Sequence, residues 1–167
     1  LARTPAGNEG RVMLPFFGPE ITPRVDSADA VYHGWADKQR DPASVVRALL
    51  EGQFLNMKIH SRWLGVSPES IYLTGGASEN DGIAQTVADV FGAPVSRLSV
   101  AGSAALGAAI RAAHGGCGIP LEELESAFCQ PEADSTVTPG DGTEKIYEEL
   151  EQKWVSALHE AFSLPND

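Results

Sequence analysis

The chain has 167 residues, of which 43% are hydrophobic and 21% are charged, a balance that suits one compact domain and excludes wholesale disorder. A formal net charge of −11 disfavours nucleic acid and anionic membranes as partners, because both carry negative charge of their own. The sequence contains no apolar run of about 18 residues and no recognisable signal peptide, so we expect a cytoplasmic protein that does not span a membrane.

The cysteines and histidines give no sign of a metal or redox site. Cys117 and Cys129 form no CxxC pair, and the four histidines lie apart from any acid or cysteine at metal or triad spacing. We therefore expect no disulfide framework, no metal site and no catalytic histidine.

The first half of the chain begins with two extended segments. They are residues 11–17 (RVMLPFF) and residues 30–35 (AVYHGW). The loop between them contains the turn formers Gly18, Pro19 and Pro23. We therefore expect short strands or extended segments ahead of the first helix.

A long helix is predicted over residues 42–64. Asp41 followed by Pro42 is a typical N-terminal cap with proline in the first turn, and Gly65 is a typical stop. Apolar residues recur at helical spacing along it, namely Val45, Val46, Leu49, Leu50, Phe54, Met57 and Leu64. Gly52 lies inside this helix, where its missing side chain is expected to permit close packing.

The middle of the chain alternates strands with helices. Residues 70–74 are predicted as a strand, a helix follows from Ser78 to Gly92, and residues 93–100 are predicted as a second strand. The next helix, over residues 101–116, is expected to end at its final glycine pair. This alternation favours an α/β domain.

The helix over residues 101–116 consists almost wholly of small side chains. Small residues let a helix approach its neighbours closely, so Ala105, Gly107, Ala108 and Ala112 predict a tightly packed internal helix. A second interpretation is that the helix leaves room for a ligand near its start.

Two further helices are predicted towards the end of the chain. One covers about residues 119–128, and an amphipathic one covers residues 144–162 after a linker that contains proline and threonine. The apolar face of the last helix is predicted from Ile146, Leu150, Trp154, Leu158 and Phe162.

The stretch SIYLTGGASENDG, residues 70–82, carries the main functional signal. A strand that stops at Gly75-Gly76 and re-enters as a helix brings bare backbone N–H groups towards whatever lies above the sheet, as a nucleotide site requires. The pattern is neither GxxxxGK[ST] nor GxGxxG, and no lysine follows to meet a phosphate. From spacing alone, a plain turn and a nucleotide site both stay open.

The wider context resembles a known family. IYLTGGASENDGIAQTVADVFGAPVSRL followed by AALGAAIRAA is similar to the C-terminal domain of the FGGY family of carbohydrate kinases, and most closely to the xylulose kinases. LPFFGPEITPRV, ALLEGQFLNM and YEELEQKW resemble further segments of that family in the same order, so the resemblance runs from about Val12 to Phe162. Ile21 stands where the family usually has arginine, and Glu79 where it usually has lysine or arginine.

The resemblance implies an actin-like, ribonuclease H-like fold and a nucleotide site. The family has two such domains and transfers the γ-phosphate of ATP to a sugar hydroxyl in the cleft between them, with Mg²⁺. Its Gly-Gly loop holds the adenosine end of ATP, and here that loop falls on Gly75, Gly76, Ala77, Ser78 and Asn80. The triphosphate belongs to other loops.

The resemblance also implies that the chain, residues 1–167 beginning at Leu1, is a fragment of the C-terminal domain of a two-domain sugar kinase. The N-terminal domain of that kinase is expected to be absent. The general base of the family is an aspartate in the absent part, so we expect no catalytic residue here and an inactive fragment. Asp81 and Asp89 are expected to be solvated or to cap a helix instead. Trp35, Trp63 and Trp154 are expected to be packing anchors, although an exposed one would mark the surface that meets the absent domain.

Three functions follow as alternatives. The first is the ATP-binding part of a kinase that converts D-xylulose to xylulose 5-phosphate. The full-length enzyme would then bind most of the ATP and Mg²⁺, and the partners of this chain would be the N-terminal domain of the same kinase and the sugar. The second is another FGGY kinase, acting on glycerol, gluconate or a deoxy sugar. The third is a non-catalytic nucleotide-binding or interaction module. The sequence leaves a homodimer open.

Overall fold

A computed structural model describes residues 1–26, 29–36, 40–100 and 102–162. The strands are β1 (Val12–Leu14), β2 (Val31–His33), β3 (Ile71–Leu73) and β4 (Val95–Arg97). The α-helices are α1 (Pro42–His60), α2 (Asp81–Phe91), α3 (Ser103–Cys117), α4 (Leu121–Phe128) and α5 (Thr143–Phe162). Short 3-10 turns cover Ala6–Gly10, Arg62–Leu64 and Gly76–Glu79. The expected α/β alternation of short strands and packed helices is confirmed.

The strands form two small sheets. β1 and β2 pair antiparallel, with Val12 opposite His33. β3 and β4 pair parallel, with Leu73 opposite Arg97. Among the described residues, β3 pairs with a strand on one side only. The parallel pair places the carboxyl ends of both strands at one edge.

The main core lies between α1, α5 and β1. Trp154 of α5 is fully buried, and its indole N–H donates a 3.1 Å hydrogen bond to the carbonyl of Met13. Phe16 packs edge-on against Trp154 and against Phe162. The predicted apolar face of α5 is therefore confirmed at Trp154 and its neighbours, whereas Ile146 is 40% exposed.

A second, smaller cluster packs α2 beneath the parallel strands. Ala84, Val87 and Ala88 of α2 lie against Val95 of β4, and all four are buried. Asp89 of the same helix is buried too, which corrects the expectation that it is solvated. Its carboxylate accepts hydrogen bonds from the Gln85 side chain and the Gly140 backbone N–H, both at 2.8 Å. Asp89 thus fastens the linker before α5 to α2.

The start and the packing of α1 follow from its sequence signals. The Asp41 carboxylate accepts a 2.9 Å hydrogen bond from the Ser44 N–H, which confirms the predicted cap. A Cβ at Gly52 would lie 2.3 Å from the Met13 carbonyl oxygen, so the absence of a side chain there lets α1 touch β1. The predicted apolar stripe is less buried than expected, since Met57 is 59% exposed and Leu64 is 54% exposed.

Three predicted helix ends differ from the structure. α1 ends at His60, and a separate 3-10 turn carries the chain on to Gly65. α2 begins at Asp81 rather than Ser78, because the side chain of Asn80 is the cap that accepts from the first turn. α3 continues through its glycine pair to Cys117, because a helix tolerates glycine until a residue such as Gly118 turns left-handed.

The expectation that α3 is a tightly packed internal helix is wrong for this chain. Of its residues, Ile110 is the one that is buried, and Ala105, Gly107, Ala108 and Ala112 are exposed. Within the described part of the chain, α4 is the element that packs extensively against α3. The small residues of α3 therefore face outward, where nothing described covers them. No described helix is both long and apolar enough to cross a membrane.

Candidate nucleotide-binding site

The Gly-Gly loop, residues 74–80, connects β3 to α2. Gly75 has φ 86° and ψ 176°, a backbone conformation that is essentially restricted to glycine. The loop then closes a 3-10 turn, in which the Ser78 N–H and hydroxyl donate to the Gly75 carbonyl at 3.1 and 2.6 Å. Asn80 follows as the N-cap of α2, its side-chain oxygen accepting from the Ile83 N–H at 3.2 Å. The loop is thus a built turn rather than a loose connection.

The outer side of this loop is open. A Cβ built on Gly75 or on Gly76 would meet nothing within 4 Å. Gly76 and Ala77 are exposed, and Ser78 is half-buried. A flat ligand could therefore rest against bare backbone here. The structure brings the predicted residues Gly75, Gly76, Ala77, Ser78 and Asn80 together in one loop, although the Asn80 oxygen is already engaged in capping.

The loop that follows β4 leaves the sheet at the same edge. Ligands of open α/β sheets bind outside the carboxyl ends of the strands, which here means between the Gly-Gly loop and the start of α3. A Cβ at Gly102, the residue before α3, would also meet nothing within 4 Å. This open space fits the second interpretation of α3, in which its start leaves room for a ligand.

Arg97, the last residue of β4, contacts the residue that follows the Gly-Gly loop, which sequence reasoning did not anticipate. Its guanidinium forms an ion pair with Asp81, the first residue of α2. Its backbone N–H donates to the Ser135 hydroxyl at 3.0 Å, and its carbonyl accepts from the Glu132 N–H at 2.7 Å. A lone arginine after a short strand carries no sequence signal for this role. Asp81, expected to be solvated or capping, is exposed and paired with Arg97.

The described residues do not supply a metal centre. No three of their His, Cys, Asp or Glu side chains lie close enough together to hold a metal ion. Asp81 is engaged with Arg97, and Asp89 is buried in structural hydrogen bonds. These two carboxylates are therefore already engaged in contacts within the protein.

An open hollow of about 450 Å³ lies between the parallel strand pair and α4. It is lined by Tyr72, Leu98, Glu125, Ser126, Cys129 and Gln130. Tyr72 is 53% exposed, and Phe128 at the end of α4 is 52% exposed. This hollow is separate from the Gly-Gly loop and presents aromatic surface to solvent.

Comparison with known proteins gives a consistent assignment. Residues 2–116 match the model of the FGGY family of carbohydrate kinases, C-terminal domain. A xylulose kinase of Rattus norvegicus is 38% identical over 168 residues, covering 93% of this chain and 31% of the relative. The chain thus spans less than a third of the length of this curated relative.

Solved structures agree on the fold. A ligand-bound xylulose kinase from Lactobacillus acidophilus superposes with a TM-score of 0.80 at 25% identity, covering 96% of this chain and 33% of that one. A gluconate kinase from the same organism superposes with a TM-score of 0.79 at 24% identity, covering 96% and 32%. The predicted actin-like fold is therefore confirmed. The chain belongs to the FGGY family of carbohydrate kinases and corresponds to its C-terminal domain.

Proposed function

We propose that this chain is the nucleotide-binding C-terminal part of a longer ATP-dependent sugar kinase. Gly75, Gly76, Ala77, Ser78 and Asn80 hold the adenosine end of ATP in this proposal. The observation that carries it is the open glycine corner at the carboxyl edge of a parallel strand pair, in a chain that belongs to the FGGY family.

The charges around the loop favour adenosine over phosphate at this corner. A free helix N-terminus would attract phosphate, yet α2 begins with an aspartate and is already capped by a side-chain oxygen. Glu79 adds an exposed carboxylate within the loop, and Asp81 at the start of α2 is already paired with Arg97. A triphosphate placed there would meet like charge, whereas the neutral purine and ribose would not.

D-xylulose is the proposed sugar, because the xylulose kinase relative is similar to nearly the whole chain. The gluconate kinase structure superposes almost equally well, so another sugar of the FGGY range is the second candidate. We assign the general base and the Mg²⁺ ligands to the part of the kinase outside this chain, as the resemblance to the FGGY family implies. The chain alone is accordingly inactive in this proposal.

The exposed apolar surface supports the proposal that this is a fragment of a two-domain kinase. β3 has one unpaired edge among the described residues, and unpaired edges of a sheet are normally covered. Trp63 is 82% exposed, and the small-residue face of α3 lies bare. Such surface is typical of an interaction site, and we assign it to the rest of the kinase.

A cytoplasmic location completes the proposal. Cys117 and Cys129 are both free, as thiols are in a reducing compartment.

The site assignment is tested by titrating the chain with ADP and following backbone amide shifts by NMR. We expect weak binding with shifts centred on residues 74–80, because the phosphate and sugar contacts lie elsewhere. Gly76→Val should lower the affinity at least about tenfold, since the new side chain fills the space over the loop. Gly116→Val, at the far end of α3 and equally open, is the matched control and should bind like wild type.

Equal affinity of the Gly76→Val chain and wild type would contradict the site. The fragment proposal has its own test, a coupled ADP-release assay with xylulose and gluconate. Turnover by the 167-residue chain alone would contradict the assignment of the base to the absent part.

A further inference from the structure

We propose that Arg97 is a positioning residue that holds the Gly-Gly loop in its observed conformation and thereby sets the affinity for the nucleotide. This inference rests on the proposed function of the loop. It concerns a residue that contacts neither the purine nor a reacting atom in this proposal, and that acts through the shape of the loop.

Arg97 lies beside the entry of the loop and contacts the residue that follows its exit. At the entry, its backbone lies opposite Leu73, the residue after which the loop begins, and the Leu98 N–H donates to the Leu73 carbonyl at 3.1 Å. At the exit, its guanidinium pairs with Asp81, the residue with which α2 begins. The residues between these two points are the proposed adenosine-binding residues. The Arg97 side chain therefore links the end of β4, beside the start of the loop, to the residue that follows the loop.

Arg97 is itself held from a third side. Ser135 and Glu132 of the linker before α5 bond to its backbone N–H and carbonyl at 3.0 and 2.7 Å. The side chain is 21% exposed, so most of it is shielded from solvent. The backbone of Arg97 is thus held by hydrogen bonds, and its guanidinium is the part that contacts Asp81 at the exit of the loop.

The ion pair is poorly suited to a role in stability alone. The Asp81 side chain is 88% exposed, and an ion pair with so exposed a partner contributes little to folding. The Nε of Arg97 is buried and has no hydrogen-bond partner in the described part of the chain, which costs stability. A methionine would fill the same space without that cost. The exposed ion pair and the unpartnered Nε therefore favour a role for the arginine in positioning the loop over a role in stability.

The experiment is an NMR titration with adenosine as the probe, repeated with ADP, on wild type, Arg97→Met, Asp81→Asn and the double variant. Adenosine is neutral, so removal of a positive charge does not by itself weaken its binding. We expect Arg97→Met and Asp81→Asn to lower the adenosine affinity by a similar factor, about 3- to 10-fold. The double variant should show no further loss, because both single changes break the same contact.

Two further variants separate positioning from a general structural role. Arg97→Lys keeps the charge and should recover most of the affinity. Arg62→Met breaks a different ion pair, the one with Glu151 that joins the 3-10 turn after α1 to α5, and should bind adenosine like wild type. Thermal unfolding of Arg97→Met should occur at or above the wild-type temperature, which a purely structural arginine would not allow.

The outcomes that overturn the inference are distinct from a failure of the proposed function. If wild type binds adenosine at the loop and Arg97→Met binds it equally well, Arg97 has no positioning role. The same holds if Arg97→Met weakens ADP but not adenosine, because direct attraction of phosphate then explains the loss. It holds as well if Asp81→Asn binds adenosine like wild type, because the ion pair then does not position the loop. If wild type shows no shifts at residues 74–80 with either probe, the proposed function itself fails.

Discussion

The hydroxyl of Tyr147 donates a 2.8 Å hydrogen bond to the carboxylate of Glu51, 96 positions away in the sequence. The same carboxylate oxygen accepts from the Gly7 N–H at 2.9 Å and lies 3.5 Å from the guanidinium of Arg47. Glu51 is 1% exposed, and its other oxygen, Oε2, has no hydrogen-bond partner among the described residues. One buried acid therefore connects α1, α5 and the N-terminal turn.

Glu51 predicts a pH-dependent stability. Burial raises its pKa from 4.5 to about 7, against the opposing effect of its hydrogen bonds and of Arg47. Between those values the folded chain keeps a proton that the unfolded chain has released, so the free energy of unfolding falls as the pH rises from about 4.5 to about 7. The expected contribution is up to about 3 kcal/mol, measurable by urea unfolding across that range.

Glu51→Gln should remove this slope, because an amide does not titrate in that range. Glu144→Gln changes an exposed acid at the start of α5 and should leave the slope as in wild type. A wild-type stability that rises over the same interval would contradict the raised pKa.

Tyr147→Phe should destabilise the chain while keeping its shape. The phenol is the nearest donor to the Glu51 carboxylate, and losing it leaves a buried acceptor with less compensation. We expect a loss of about 1 to 3 kcal/mol at pH 7 and a Glu51 pKa that moves further up, since the hydrogen bond from Tyr147 lowers it. Urea unfolding measures the first effect, and its pH dependence measures the second. An unchanged pH profile would show that the bond does not influence the acid.

The close packing of α1 on β1 at Gly52 predicts that a side chain at this position lowers stability. Gly52→Ala places a Cβ within 2.3 Å of the Met13 carbonyl oxygen, so α1 must move away from β1. We expect a loss of about 1 to 3 kcal/mol despite the better helix propensity of alanine. Gly116→Ala in α3, where nothing lies within 4 Å of the new Cβ, should be neutral or stabilising by up to about 1 kcal/mol. Equal unfolding free energies for the two variants would refute the packing argument.

Signals that act over a few residues predict this fold well. Asp41 and Pro42 specify the start of α1, and the glycine pair after β3 specifies the turn into α2, because capping and turn geometry depend on neighbours in sequence. The resemblance supplied the family, and the family supplied the proposed site. The local pattern alone left a plain turn open, because two glycines indicate where the backbone is uncovered but do not indicate which ligand binds there.

What the sequence could not predict depends on distant partners. Small residues in α3 predict close packing only if a neighbour is present, and among the described elements α4 is the one that packs extensively against α3. The burial of Glu51 with Tyr147 joins residues on two helices far apart in the chain. The pairing of Arg97 with Asp81 depends on the parallel register of β3 and β4. None of these contacts leaves a periodic signal.

The backbone conformation of Gly75 predicts that a side chain at this position destabilises the candidate site. Its φ of 86° with ψ of 176° is strained for any side chain, so Gly75→Ala should reshape the loop and lower stability by about 1 to 3 kcal/mol. Gly76→Ala is the matched control, since its backbone is ordinary and its surroundings are equally open, and it should change stability by less than about 0.5 kcal/mol. Urea unfolding measures the cost, and amide NMR shifts show whether the change is confined to residues 74–80. Shifts that spread into the α1 and α5 core, or an equal cost for the two variants, would show that the backbone of Gly75 is not what shapes the corner.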